Sequence, residues 1–143
     1  MDCYDVLKLE NQLCFPLYAC SREMIKEYKP FLDPLELTYT QYITLMVLWE
    51  KKAINVKALG DQLFLDSGTL TPLLKKLEAK GLVSRKRSSE DERNLIVSIT
   101  EAGEALKERA VSIPWEVAKC SNLTPDEQKT MYQLMYKFLN RNK

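Results

Sequence analysis

Cys14 stands in NQLCFPLYACSREM, the stretch Asn11–Met24, beside Phe15 and Pro16 and four residues before Tyr18. The 143-residue chain holds no histidine. Histidine-based acid–base catalysis and activation of a cysteine by imidazole are therefore excluded. The four cysteines, at positions 3, 14, 20 and 120, form no C-x-x-C pair. A zinc site made from them and from carboxylates lacks suitable spacing. Neither a G-x-G-x-x-G nor a phosphate-loop signature appears among the four glycines. No metal, no cofactor and no enzyme activity are expected. What remains for Cys14 is the chemistry of a thiol without an imidazole partner.

A chain of this length is expected to form one domain, residues 1–143, with a core of its own. Its apolar runs fall well short of the ~20 residues that cross a bilayer, so no membrane association is expected. The start, MDCYDVLKLENQ, has early acids and no apolar stretch of the secretory kind. A cytoplasmic location follows as the expectation, and there the cysteines should be thiols. Net charge is only +1, but its distribution is uneven. Residues 75–87, KKLEAKGLVSRKR, hold six basic residues and one acid, while residues 88–104 hold five acids and one arginine. A local basic patch in a nearly neutral chain is the kind of surface to which nucleic acid responds; a solvated helix face is the alternative.

The elements that carry these residues can be read from periodicity. Leu13, Leu17, Cys20, Met24, Tyr28 and Phe31 recur at helical steps, so a long helix should run to about Leu32, where DPLEL breaks it. A second helix is expected from about Tyr39 to Lys51. A short third has Val56, Leu59 and Leu63 on its buried side. A fourth begins after FLDSGT and ends at Gly81, suited to a left-handed cap. The period then changes to two. Val83, Arg85 and Arg87 form one strand and Leu95, Val97 and Ile99 another, joined by SSEDERN as a hairpin. Thr100 should cap a fifth helix interrupted at Pro114, and Thr124 with Glu127 forms a capping box for the last. Cys20 is expected to fill core and Cys3 to lie in a mobile tail. The fold class is mainly α: a winged helix-turn-helix with a two-stranded wing and flanking N- and C-terminal dimerisation helices. Pairing the apolar stripes of those flanking helices across a two-fold axis would bury them in a homodimer.

The fourth helix divides into two faces. Leu70, Leu73, Leu74 and Leu77 point one way; Gly68, Thr69, Pro72, Lys75 and Lys76 point the other, with Thr71 on the shoulder. Small outward residues let a helix enter the ~12 Å major groove of double-stranded DNA, where hydroxyls and ammoniums reach phosphates and base edges. Ser67 or Asp66 can cap its start, whose amides also suit a phosphate. The wing adds Arg85, Lys86 and Arg87, and at its tip Asp91 can hold the Arg93 guanidinium extended for a minor groove. An exposed ion pair of little consequence is the alternative for Asp91 and Arg93.

LFLDSGTLTPLLKKLEAKGLVSRKRSSEDER, followed by the TEAG helix start, resembles the MarR family of dimeric winged-helix regulators. LENQLCFPLYACSREM with TYTQY resembles more narrowly its organic-hydroperoxide-sensing, OhrR-like branch. The resemblance covers about Lys8 to Phe138 and makes residues 1–143 a single MarR-type domain. Its dimerisation helices would occupy about 9–35 and 101–143, and its DNA-binding part about 36–100. It implies a repressor that holds operator DNA while Cys14 is reduced and lets go when an organic hydroperoxide or other oxidant attacks that sulfur. Tyr28 and Tyr39 match tyrosines that donate to the thiolate from the partner subunit, with Tyr18 nearby. A phenol hydroxyl can favour a charged sulfur without any imidazole. Cys120 matches the region of a second, resolving cysteine; a low-molecular-weight thiol is the other route to a disulfide. A small buried hydrophobe is the alternative for Cys120. Pro16 departs from the branch's pattern, and two outcomes stay open: a helix beginning at Leu13 or Cys14, or a kink. A MarR-type repressor released by a small aromatic ligand, with no thiol oxidation, is the competing function.

Overall fold

Helix boundaries in this chain are set by side chains that take up free backbone amides. The structure, a computed structural model, describes residues 2–143. Two 3-10 turns, Asp5–Leu7 and Leu9–Asn11, lead into α1 (Cys14–Leu32) and a further turn at Asp33–Leu35. Thr38 then opens α2 (Tyr39–Lys51) with a capping box: its hydroxyl accepts from the Gln41 amide and the Gln41 side chain accepts from Thr38 N–H. A short strand β1 (Ala53–Asn55) follows. The Asn55 side chain caps α3 (Val56–Leu63), and Asp66 caps α4 (Ser67–Ala79) by accepting from Thr69 N–H at 2.8 Å.

The end of α4 is a Schellman turn. Leu82 N–H reaches back to the Leu77 carbonyl and Gly81 N–H to that of Glu78. Gly81 sits at φ 76°, where a side chain would be strained. The chain then forms the hairpin β2 (Val83–Arg87) and β3 (Leu95–Ile99). The hairpin matches the sequence reading, but the sheet has three strands in the order β1-β3-β2, with Ala53 opposite Ser98 and Arg85 opposite Val97. Three residues of β1 are too few to show a period of two. They become a strand because β3 offers an unpaired edge.

Buried leucines from α2, α3 and α4 meet over this sheet. Leu45, Leu48, Leu59, Leu74, Leu77 and Val97 have no exposed surface. α5 (Glu101–Ala110) docks on the same body through its first turn. Thr100 caps it by accepting from Gly103 N–H, and the same hydroxyl donates to the Gly81 carbonyl at 2.6 Å. Gly103 lies so close to Leu82 that an added Cβ would sit 2.2 Å from its carbonyl oxygen. The Gly103 carbonyl accepts from the buried Trp49 indole at 2.9 Å. The TEAG start thus has a packing reason: cap, close approach and indole acceptor fall within four residues.

The chain divides into two compact units, one ending at Ile113 and the other covering Pro114–Lys143. The fifth helix stops at Ala110, before Pro114. That proline instead occupies the first turn of α6 (Ile113–Ala118), where its missing N–H costs nothing. After a 3-10 turn at Lys119–Ser121, Thr124 and Glu127 form the expected capping box of α7 (Pro125–Leu139). Leu134, Met135, Phe138 and Leu139 of α7 are exposed, as are Leu13, Phe15, Leu17, Met24 and Ile25 on or beside α1. Among the described residues, no helix is long and apolar enough to cross a membrane.

Gly103→Ala should force the Leu82 backbone and α5 apart. The expected cost is about 1–3 kcal/mol, the usual range for overpacking a tight contact. It should be measured as a lower urea midpoint with an unchanged slope.

Candidate functional site

Cys14 is the first residue of α1 and is exposed. Leu13 precedes it in helical conformation and supplies no side-chain cap. Pro16 falls in the first turn, where the amide it lacks would have had no intrahelical acceptor. Of the two outcomes the sequence left open, the helix begins at Cys14. The sulfur stands where unpaired N–H groups and the positive end of the helix dipole meet. The chain leading to it is pinned by side-chain amides: Asn11 Nδ2 donates to the Asp5 carbonyl at 2.7 Å, and Gln12 Nε2 to those of Val6 at 2.7 Å and Lys8 at 2.9 Å.

Tyr28 and Tyr39 are brought together, their ring centroids 4.9 Å apart. Tyr42 completes the group at 5.8 Å from Tyr28 and 6.4 Å from Tyr39. Burial raises the pKa of Tyr28, and the neighbouring Tyr39 adds to the shift. Burial, then Tyr28 and Tyr39, pushes Tyr42 up to about 12. Neutral phenols are thus favoured at Tyr28 and Tyr42, and a neutral phenol is a hydrogen-bond donor. Tyr18 stands apart, exposed, its hydroxyl accepting from Arg22 at 3.4 Å and its ring under the same guanidinium.

Fourteen residues of α1 separate Cys14 from Tyr28, a rise of about 21 Å, yet at 100° per residue the two lie within about 40° of each other around the axis. They share a face and cannot touch within one chain. Cys20, expected as core filler, is exposed, because α1 buries only Leu32. Cys3 is exposed beside the first 3-10 turn. Cys120 lies in the second unit, in the turn Lys119–Ser121, exposed, its thiol donating to the Glu116 carbonyl at 3.6 Å.

On α4 the two faces are as the spacing required. Leu70, Leu73, Leu74 and Leu77 are buried, while Ser67, Gly68, Thr69, Pro72, Lys75 and Lys76 are exposed and Thr71 is half-buried. Pro72 is accommodated inside the helix; the carbonyl it leaves without a donor belongs to Gly68 in the first turn. At the wing tip, Asp91 accepts from both Arg93 N–H (3.0 Å) and Arg93 Nε (3.2 Å), and the Arg93 side chain remains 90% exposed. Lys86 and Arg87 are exposed at the end of β2, Arg87 donating to the Glu92 carbonyl at 3.0 Å.

Arg85 behaves differently. The alternation of β2 turns it to the inner face with Val83, and its side chain is only 17% exposed. Its guanidinium and its backbone N–H both donate to Glu78 at the end of α4. That contact holds the Glu78 carboxyl below the usual carboxylate range. Glu78 was missed in the sequence because a pair spanning a turn follows no helical or strand period. The contact of Lys80, part of the basic run, was missed for the same reason; the residue is exposed, and its ammonium donates to Gln41.

The family of transcriptional regulators SarA/Rot matches residues 26–110. The organic hydroperoxide resistance transcriptional regulator of Bacillus subtilis is 53% identical over 136 residues, covering 95% of this chain and 92% of that protein. The solved structure of reduced AbfR bound to DNA superposes with a TM-score of 0.77 at 36% identity, over 94% of each chain. Disulfide-formed AbfR gives 0.65 at 34% identity, over 93% of each.

The raised Tyr42 pKa predicts a stability term. The folded protein holds this proton more tightly than the unfolded chain, so the term is present in full below the ordinary value of 10.0 and is lost as pH rises towards about 12. Urea midpoints of wild type should fall across that window by more than those of Tyr42→Phe.

Proposed function

The chain belongs to the MarR/SarA family of winged helix-turn-helix transcriptional regulators, and from that membership we propose that it is a redox-switched repressor. As a homodimer it holds operator DNA while Cys14 is a thiol and releases it when an organic hydroperoxide oxidises Cys14. The position of Cys14 carries this reading. It is exposed at a helix start, on the face that bears Tyr28, but about 21 Å along the axis from it.

Two copies of α1 packed antiparallel about a two-fold axis near Ser21 bring Cys14 of each opposite the other's Tyr28, with Tyr39 against Tyr28. The exposed apolar residues of α1 and of α7 supply the surface that such pairing buries. In this reading residues 9–35 and 101–143 form the dimer and residues 36–100 meet DNA. Together they make residues 1–143 a single MarR-type domain in this reading.

The sulfur step balances simply. The Cys14 thiolate attacks the outer oxygen of the hydroperoxide, the S–O bond forms as O–O breaks, and the alkoxide leaves to be protonated as an alcohol. The sulfenic acid then condenses with the thiol of Cys120 or of a small cellular thiol, giving a disulfide and water. DNA contact falls to the outer face of α4 through Ser67, Gly68, Thr69, Thr71, Pro72, Lys75 and Lys76, and to the wing through Lys86, Arg87 and the Asp91-held Arg93. Arg85 supports that surface by fixing β2 to α4.

Wild-type protein on operator DNA should dissociate on treatment with cumene hydroperoxide and rebind after dithiothreitol. Cys14→Ser should stay bound throughout, as read by fluorescence anisotropy. Release of Cys14→Ser to the same extent as wild type would remove the thiol from the mechanism and favour a ligand-filled pocket. Arg93→Ala should weaken operator binding and flatten the plot of log affinity against log salt by about 0.9, one phosphate's worth of released counterion. An unchanged slope would place Arg93 away from the backbone.

A further inference from the structure

Besides the leucine core they share, the element that carries the proposed sensor's tyrosines and the reading helix are joined by a polar link at Lys80. It follows the last turn of α4, in the middle of the basic run, where charge alone would assign it to DNA. Its ammonium instead donates to Gln41 Oε1 at 3.0 Å and to the Glu36 carbonyl. Gln41 is 3% exposed and is the third residue of the α2 capping box, its Oε1 also accepting from Thr38 N–H at 3.1 Å. Glu36 sits at φ 56°, closing the turn between α1 and α2.

The residues on either side of this knot are the phenols. Tyr39 is the first residue of α2 and Tyr42 the fourth, with Gln41 between them, and both rings pack on Tyr28. A change in what Tyr28 or Tyr39 touches displaces the start of α2, and the start of α2 is tied to the end of α4 through one ammonium. We propose that Lys80 is a positioning residue that transmits the state of Cys14 to α4, acting through Gln41 and Glu36. This rests on the redox reading above.

The step needs no new chemistry, only a link stiff enough to move two elements together. Lys80 meets that need because, from the end of α4, it holds two acceptors of the segment that opens α2, one in the left-handed turn and one in the helix cap. Lys75 and Lys76, one turn earlier on the same helix, are exposed and free to meet phosphate.

Lys80→Met keeps the length of the side chain and removes the ammonium. Reduced Lys80→Met should bind operator within about threefold of wild type, while oxidation that costs wild type at least about tenfold, a usual size for coupling between sites, should cost the variant less than about threefold. Cys14 oxidation is followed in parallel by mass spectrometry, so that an unresponsive variant is known to carry the oxidised sulfur. Gln41→Glu, which preserves both the cap and the Lys80 contact, should respond as wild type does. If Lys80→Met does not fold, Lys80→Gln cuts the same reach. Equal release of the lysine variant and wild type at equal oxidation overturns the relay and leaves the switch standing. Loss of binding in the reduced, folded variant also overturns it, since Lys80 would then serve DNA contact. Wild type that stays bound with Cys14 oxidised overturns the switch and the relay together.

Discussion

A helix does not shorten, and the about 21 Å of α1 between Cys14 and Tyr28 is the distance to which the proposed function answers. Within one chain the sulfur has no imidazole and Tyr28 lies about 21 Å along the helix from it, and α1 buries little of its own apolar surface. In the proposed homodimer an antiparallel copy would answer both deficits at once, covering the stripe and bringing Tyr28 and Tyr39 to the thiol. On this view association is part of the sensing chemistry as well as a source of stability, because a lone subunit would carry an incomplete site.

The reading surface has its own economy of contacts. α4 is held on its inner side by four leucines, at its start by Asp66 and at its end by the Schellman turn through Gly81. Glu78 then grips β2 through Arg85. The partly exposed pair is a poor source of folding energy in water, but it ties the strand to the helix it leaves. Lysines at 75 and 76 and the arginine held by Asp91 are left pointing outward. A chain with a net charge of only +1 can therefore still present a concentrated positive face.

Much of this was legible in the residues. α1 to α4 and the hairpin follow from apolar spacing, the α4 cap from Asp66 before its start, and its end from Gly81. The Asp91–Arg93 contact was legible because two residues in a tight loop have few places to go. What escaped had no local signal. β1 is three residues long and exists through its neighbour β3. The break after Ala110 precedes the proline that seemed to cause it. Cys20 looks buried in a helical repeat, yet the stripe it belongs to is uncovered. The partners of Arg85 and Lys80 escaped because Glu78 and Gln41 are set by how elements cross and not by spacing along the chain.

The wing leaves the helical body at Gly81 and returns to it at Thr100, and a single hydroxyl joins those two points. Leu82 and Thr100 are also bonded through their backbones. The hairpin is therefore closed at its root, like a pocket-knife blade riveted at the handle. Residues gained or lost near its tip alter how far it extends without disturbing the body behind it. For a lineage adapting to new promoters, reach becomes a trait that insertion and deletion can tune while the rest of the architecture is inherited intact.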